Sequence, residues 1–228
     1  MTAIDSDRSQ LPRATTARGL RTRERLLDAA ERLWGERGVE AVSLREIRLE
    51  AGQRNSSALQ FHFGDRDGLG LALAQRHMPR IAAEQERLYW DLVAAGRQDE
   101  VAGLVEVMVR PGAEYLTRGP SERAWTKIVA ERMSRPELEL NVVAEHVPDL
   151  TYRIGALLHQ RLVEVIEPDL AVERMLAVFH SCAHLSADRA RMEDLPAGAA
   201  GRVTLPFDRW IANLLDMAVA AMTAPPRS

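Results

Sequence analysis

The first 64 residues show a helical pattern of apolar and polar positions, bounded by residues that start or end helices. From Thr22, apolar residues recur at spacings of three and four, which places them on one helix face. They are Leu26, Leu27, Ala30, Leu33 and Trp34. Thr22 is a suitable N-cap and Gly38 a suitable end, so the pattern predicts a first helix between these two residues.

Two shorter helices are predicted next. Ser43 and Glu46 stand at the spacing of a capping box, and the inner face that follows contains Leu44, Ile47 and Ala51. Gly52 is expected to end this second helix. A third short helix is predicted from about Asn55 to His62, and a longer helix is predicted to start near Asp67.

The rest of the chain alternates apolar helical stretches with expected breaks at proline and glycine. The breaks are Pro79, Gly96, Gly112, Gly119, Pro136, Pro148, Pro168 and Pro196. Residues 169–192 and 205–222 are the most apolar stretches. No strand-like alternation of useful length occurs, so the sequence predicts an all-α fold with domains at residues 1–20, 21–66 and 67–228.

Composition fits a helical protein that is neither disordered nor membrane-embedded. Of the 228 residues, 46% are hydrophobic and 28% charged. No apolar run reaches the roughly 20 residues needed to span a bilayer. The N-terminus has no apolar stretch typical of a secretory signal, and the single Cys182 fits a reducing compartment, so a cytoplasmic protein is expected.

The net charge of −3 is unevenly distributed along the chain. Residues 1–64 hold 11 arginines against nine acidic residues, and the basic charge is densest at the start. Residues 1–20 are expected to be a disordered, arginine-containing arm. Two interpretations of these early arginines stay open, a contact to DNA phosphates or the minor groove and a solvated tail. They are Arg8, Arg13, Arg18, Arg21, Arg23 and Arg25.

The segment from Ser43 to Phe63 predicts a helix-turn-helix that reads double-stranded DNA. Arginine can bond guanine with two hydrogen bonds, asparagine or glutamine can do so with adenine, and serine reaches phosphates or base edges. Such residues cluster where a recognition helix meets the major groove. The predicted readers are Gln53, Arg54, Asn55, Ser56, Ser57, Gln60 and Phe61.

The stretch from Thr22 to Leu69 resembles the DNA-binding domain of the TetR family of bacterial regulators. The resemblance is carried by RERLLDAAERLWGERGVEAVSLREIRLEAG and by ALQFHFGDRDGL, in which six residues follow the family's order and spacing. These six are Gly38, Ser43, Ile47, Gly52, Phe63 and Gly64. The resemblance implies an all-α homodimer in which a three-helix head reads a pseudo-palindromic operator. A larger helical domain would bind a small molecule that releases the DNA, with repression as the usual output.

By the same resemblance, Ser43 and Arg45 would touch phosphates, and Arg66 stands where the family usually has a phosphate-gripping lysine. The sequence departs from the family at three places. The turn before the third helix is one residue longer, and Gln60 replaces a frequent aromatic residue. Residues 48–50 replace small residues, and the charged side chains at 48 and 50 are expected to point to solvent.

The C-terminal part contains candidates for a ligand pocket and for a dimer interface. Ligand-lining candidates are Trp90, Met108, Tyr115, Trp125 and Met133; the alternative for each is core packing. Candidates for a four-helix dimer bundle are Met175, Phe179, Leu185, Trp210, Leu214 and Met217; the alternative is a core within one chain.

Other chemistry receives little support from the sequence. His180 and His184 share a helix face, but Cys182 points elsewhere and no HExxH arrangement occurs, so no metal site is predicted. No phosphate-binding glycine loop or GxSxG elbow is present, so neither an enzyme nor a cofactor is expected. The competing hypothesis is a DNA-binding activator or architectural protein without ligand control.

Overall fold

A computed structural model describes residues 16–134, 149–196, 199 and 205–226 of the chain. The described residues form α-helices and one short 3₁₀ helix, without any strand, which confirms the all-α prediction. The helices are α1 (Ala17–Arg37), α2 (Leu44–Glu50), α3 (Ala58–Phe63), α4 (Arg66–Ala94), α5 (Val101–Tyr115), the 3₁₀ helix (Leu116–Arg118), α6 (Pro120–Met133), α7 (Asp149–Leu162), α8 (Pro168–Glu193) and α9 (Phe207–Thr223).

The chain divides into two compact units, Met1–His77 and Met78–Ser228. The division falls within α4, whereas the sequence placed a boundary after residue 66. The first unit, called the head below, contains α1, α2, α3 and the start of α4. A small three-helix head and a larger helical unit agree with the predicted architecture.

Helix α1 starts earlier than predicted. The side chain of Thr16 accepts a hydrogen bond from the Gly19 amide at 3.1 Å and caps the helix, so Thr22 is not the N-cap and residues 17–20 are not disordered. Alanine, arginine and leucine favour helix enough to carry α1 across Gly19 once Thr16 closes its end. The end at Gly38 is confirmed, and the predicted apolar face of α1 is buried. Arg8 and Arg13 lie outside the described residues.

Helix α2 begins and ends as the sequence predicts. Ser43 and Glu46 form a complete capping box, in which each side chain bonds the other residue's amide. At the C-terminal end, the Gln53 amide donates to the Arg48 carbonyl at 3.0 Å and the Gly52 amide to the Leu49 carbonyl at 2.9 Å. This pair of bonds is a Schellman motif, which requires the positive φ of 66° that Gly52 adopts.

Helix α3 is shorter than predicted, because it begins at Ala58 rather than near Asn55. The Asn55 side chain accepts a hydrogen bond from the Ser57 amide at 3.0 Å, and this local turn competes with helical structure. Helix α4 begins at Arg66, close to the predicted start, and the Asp65 side chain accepts from the Gly68 amide at 2.8 Å.

The second unit retains some of the predicted breaks and overrides others. Gly96 and Gly119 separate helices and Pro168 opens α8, as expected. Pro79 and Gly112 lie inside α4 and α5, so the breaks predicted there are wrong. Tertiary burial of the flanking helix faces can outweigh the loss of one backbone hydrogen bond at an interior proline. Pro136 and Pro148 fall outside the described residues.

The core of the second unit is built mainly from α5, α7, α8 and α9. Its buried side chains include Leu104, Ile154, Leu158, Val178 and Ile211. Helices α8 and α9 lie within one or two residues of the two apolar stretches singled out in the sequence.

The end of α3 and the start of α4 approach each other closely at Gly68. A Cβ atom added at Gly68 would lie 1.9 Å from the Phe63 carbonyl oxygen. We expect Gly68→Ala to destabilise the head by about 1–3 kcal/mol, because the added Cβ would overlap backbone atoms of Phe63 and not a flexible side chain that could turn away. Calorimetric unfolding measures the effect.

Gly155→Ala in α7 is the matched control, since the added Cβ would have no described atom within 4 Å apart from its chain neighbours and the adjacent backbone of its own helix. This change should be neutral or stabilising by up to about 1 kcal/mol, as alanine favours helix over glycine. Equal effects of the two substitutions would contradict the steric argument.

Candidate nucleic-acid interface

Helix α3 separates its buried residues from its exposed residues. Ala58, Leu59 and Phe63 are buried, whereas Gln60 is exposed and Phe61 is 51% exposed. The residues just before α3, 54–57, are also exposed, as are Ser43 and Arg45 on α2. Of the ten predicted DNA contacts, Gln53 and Arg66 are half-buried and the other eight are exposed. The head therefore leaves open the side of α3 that the sequence assigned to DNA.

The turn between α2 and α3 uses part of its own polar chemistry. The Gln53 side-chain amide donates to the Ala51 carbonyl at 3.3 Å, and Asn55 accepts from the Ser57 amide. Arg48 donates from Nη1 to the Gln53 carbonyl at 2.6 Å and to the Arg54 carbonyl at 3.2 Å. The Arg54 side chain is exposed and makes no hydrogen bond or ion pair within the described part of the chain.

The expectation that the charge points to solvent is therefore wrong for Arg48, which is half-buried against the turn. Glu50 is exposed as expected, and it also forms an ion pair with Arg32 of α1. Sequence reasoning missed both partners because each lies outside the local helix pattern. The available signal for Arg48 was a long cationic side chain at the end of a helix, where unpaired carbonyl groups collect.

Exposed cations are present on the head without an acidic partner. Within the described residues, five exposed arginines form no ion pair, so their charge is available to an anionic partner. They are Arg18, Arg21, Arg25, Arg45 and Arg54. Arg25 reaches from α1 over the α2–α3 turn, because a Cβ at Gly52 would lie 2.9 Å from its Nη2.

Arg66 is tied to the interior of the head. Its guanidinium donates to the Val39 carbonyl and lies 6.0 Å from the centre of the Trp34 ring. A phosphate contact by Arg66 stays a prediction, and it would have to be made by the guanidinium atoms not bonded to Val39.

A polar cluster with a buried centre at Glu31 and His77 joins α1 to the part of α4 inside the head. Arg76 forms ion pairs with Glu24 at 2.7 Å, Asp28 at 2.8 Å and Glu31 at 3.0 Å. Glu31 also lies 3.1 Å from Nε2 of the buried His77. No local sequence pattern indicates this cluster, because its members lie 45 to 52 residues apart along the chain.

Comparison with known proteins assigns the head to a family. The sequence model described as bacterial regulatory proteins, tetR family, matches residues 26–73, which cover most of α1, all of α2 and α3 and the start of α4. The chain carries a TetR-family domain. The resemblance drawn from the sequence is thereby confirmed.

Two relatives of the TetR-family domain are named HTH-type transcriptional repressor AcnR. The protein from Corynebacterium efficiens is 35% identical over 69 residues, which is 30% of this chain and 36% of that protein. The protein from Corynebacterium glutamicum is 36% identical over 61 residues, 27% of this chain and 32% of that protein. The chain thus matches about a third of the length of these repressors.

A solved structure, Salmonella enterica GusR, aligns with the chain at a TM-score of 0.44 and 19% identity. The alignment covers 90% of this chain and 96% of that one.

Outside the TetR-family domain, the five predicted ligand-lining residues lie in different environments. Tyr115 and Trp125 are buried, Met108 and Met133 are half-buried, and Trp90 is 55% exposed. A partly open hollow of about 160 Å³ lies between α4 and α5, lined in part by Leu88, Leu92 and Val107. None of the five candidates lines this hollow, and their ligand contacts stay a prediction.

The six predicted dimer residues lie on α8 and α9. Leu214 is only 3% exposed in the core of its own unit, and three others are half-buried against that core. These three are Met175, Phe179 and Trp210. Leu185 and Met217 are exposed, and so are the apolar Val172 and Leu176 of α8.

The histidine pair of α8 shows no metal geometry. His184 Nε2 lies 2.8 Å from the Ser134 hydroxyl, and burial raises the pKa of Cys182 to about 11. Within the described residues, no group of three His, Cys, Asp or Glu side chains could hold a metal ion.

The described part of the chain contains no helix long and apolar enough to cross a membrane.

The Ser43–Glu46 capping box makes a prediction about pH. The pKa of Glu46 is lowered from its ordinary value of 4.5 to about 2 by the Ser43 backbone amide, then the Ser43 hydroxyl, then Arg37. Because the folded pKa is depressed, this carboxylate stabilises α2 fully above about pH 4.5, and its contribution is lost as the pH falls towards 2. Glu46→Gln should abolish that part of the pH dependence.

Carboxyl NMR titration measures this pKa directly. Ser43→Ala removes the hydroxyl bond but keeps the backbone amide, so the midpoint for Glu46 should rise to between about 2 and 4.5. An unchanged midpoint in Ser43→Ala would show that the hydroxyl does not contribute.

Proposed function

We propose that this chain is a DNA-binding transcription regulator of the TetR type, acting as a repressor. The observation that carries the proposal is the exposed α3 surface with the unpaired Arg54, inside the segment that matches the family. Repression is supported by the names of the two relatives, both of which are called repressors.

The proposed operator is a pseudo-palindrome bound by a homodimer. One head offers a recognition helix of only six residues, which reads few base pairs. Two heads that enter successive major grooves about 34 Å apart would double the site. The exposed apolar residues of α8 and α9 support these helices as the dimer face, since large apolar patches commonly mark interfaces.

A small-molecule effector would release the DNA by binding more tightly to a dimer whose heads no longer match the operator spacing. The coupling is reciprocal, so operator DNA would weaken effector binding by the same factor. A regulator without ligand control is the second candidate. It is favoured by the burial of Tyr115 and Trp125 and by the size of the hollow between α4 and α5, which is smaller than the roughly 300–1,000 Å³ of ligand pockets.

The test is selection of genomic DNA fragments by the purified protein, followed by titration of the selected fragment and of random DNA at two salt concentrations. A palindromic site bound about a thousandfold more tightly than random DNA supports the proposal. Native mass spectrometry of the same preparation detects a bound effector. If no fragment is enriched by protein shown to be free of small molecules, the proposal fails.

Arg54 and Arg45 should differ in what they contribute to DNA binding. Both are exposed and unpaired, but only Arg54 lies in the turn that leads into the proposed recognition helix. We expect Arg54→Ala to reduce discrimination between operator and random DNA by about 5- to 150-fold, the loss of one bidentate base contact. Arg45→Ala should weaken binding to both DNAs about equally and lower the salt slope by about one. Equal losses on both DNAs for Arg54→Ala would contradict its assignment.

Substitution of Met217 would test whether α8 and α9 form the proposed dimer interface. Its side chain is 52% exposed, so Met217→Asp should leave the fold of one chain intact and place repelling charges across a two-fold axis. Sedimentation equilibrium should then show the mass of one chain in place of two. Tyr152→Asp, on the exposed face of α7, is the control and should leave the dimer unchanged. A dimeric Met217→Asp protein would place the interface elsewhere.

A further inference from the structure

The α2–α3 turn leaves two carbonyl groups that no backbone amide of the turn satisfies. The Schellman motif ends α2 at Gly52, and α3 does not begin until Ala58. Between them, the Gln53 and Arg54 carbonyls both accept from Nη1 of Arg48, at 2.6 Å and 3.2 Å. Charge-assisted bonds of this kind are stronger than bonds between neutral groups. Arg48 therefore holds the two peptide groups that flank the Cα of Arg54, Gln53–Arg54 and Arg54–Asn55.

Arg54 is the charged side chain of this turn, and it remains available to a partner. The Gln53 amide bonds back to Ala51, and Asn55 accepts from the Ser57 amide. The Arg54 guanidinium has no partner within the described residues and is exposed. The backbone that carries this free guanidinium is the segment held by Arg48.

We propose that Arg48 is a positioning residue that sets the direction of Arg54 toward a guanine in the DNA. This inference rests on the proposed function of the head. A turn already fixed before binding loses less conformational freedom on DNA than a mobile turn. Arg54 then reaches the two acceptors of guanine, N7 and O6, with the geometry that a bidentate contact needs. Arg48 thus determines base preference through Arg54 without a base contact of its own.

A direct phosphate contact by Arg48 makes a different prediction. Removing a phosphate contact weakens binding to all sequences and lowers the salt slope by about one. Removing a positioning contact reduces binding to the operator and leaves random DNA and the salt slope unchanged. The two roles are therefore separable by titration.

The experiment is a double-mutant cycle with Arg48→Met, Arg54→Ala and the double variant. Each protein is titrated with the selected operator and with random DNA at two salt concentrations. We expect Arg48→Met to lower the ratio of operator to random affinity by about tenfold, with an unchanged salt slope. In the Arg54→Ala protein, Arg48→Met should change that ratio by less than about twofold, because the group it positions is absent.

Three results would overturn the proposal: equal losses on both DNAs, a fall of about one in the salt slope, or additive effects of the two substitutions. Arg32→Met is the matched control, since it removes one cation from the head and breaks the ion pair with Glu50. It should leave the affinity ratio unchanged.

Arg48→Lys provides the second variant if Arg48→Met unfolds the head in thermal melting. Lysine keeps the charge but not the planar guanidinium, so it should lose part of the affinity ratio and none of the salt slope. Complete recovery of the ratio by lysine would assign the effect to charge and overturn the positioning role. Failure of the proposed function is recognised separately, because the unmodified protein would then select no DNA.

Discussion

The candidate DNA surface depends on the burial of one face of α1. Leu26, Leu27 and Trp34 are almost completely buried, and α1 packs against α2, which in turn packs against α3. Burying one large apolar side chain contributes about 1.5–3 kcal/mol, whereas an exposed ion pair contributes at most about 1 kcal/mol. The apolar face of α1 therefore determines whether the head folds. Exposed pairs such as Arg37–Glu46, which joins α1 to the start of α2, add little to that stability.

Backbone hydrogen bonding then determines which polar side chains are free. Gly52 closes the end of α2, Glu46 and Ser43 close its start, and Asn55 holds the approach to α3. The side chains of Ser43, Glu46 and Asn55 form hydrogen bonds within the head, although serine and asparagine could also bind DNA. The Arg54 side chain takes no part in these bonds and remains exposed. The candidate DNA surface therefore depends both on the side chains that the turn leaves exposed and on those that it uses for its own hydrogen bonds.

The parts of the fold that could be predicted are those coded by neighbouring residues. The capping box at Ser43, the glycine at position 52 and the two late apolar helices each depend on residues within a few turns of one another. The missed features depend on distant partners. Pro79 stays inside α4 although local rules end a helix there, and Arg76 binds carboxylates that lie some 45 to 52 residues earlier. The position of Arg48 required the path of the turn, which no local pattern specifies.

In the second unit, chemical type alone does not separate a ligand contact from core packing. Aromatic residues such as Tyr115 and Trp125 suit a ligand pocket and a closed core equally, and their burial fits both. Leu214 and Met217 belong to one apolar stretch, but only Met217 is exposed. The spacing of apolar residues predicts that α9 is apolar on more than one side. Only the burial seen in the structure shows which of those sides packs into the core. Under the proposed function, a second copy of the chain would cover the exposed apolar side chains of α8 and α9 and would supply a second copy of the six-residue helix α3.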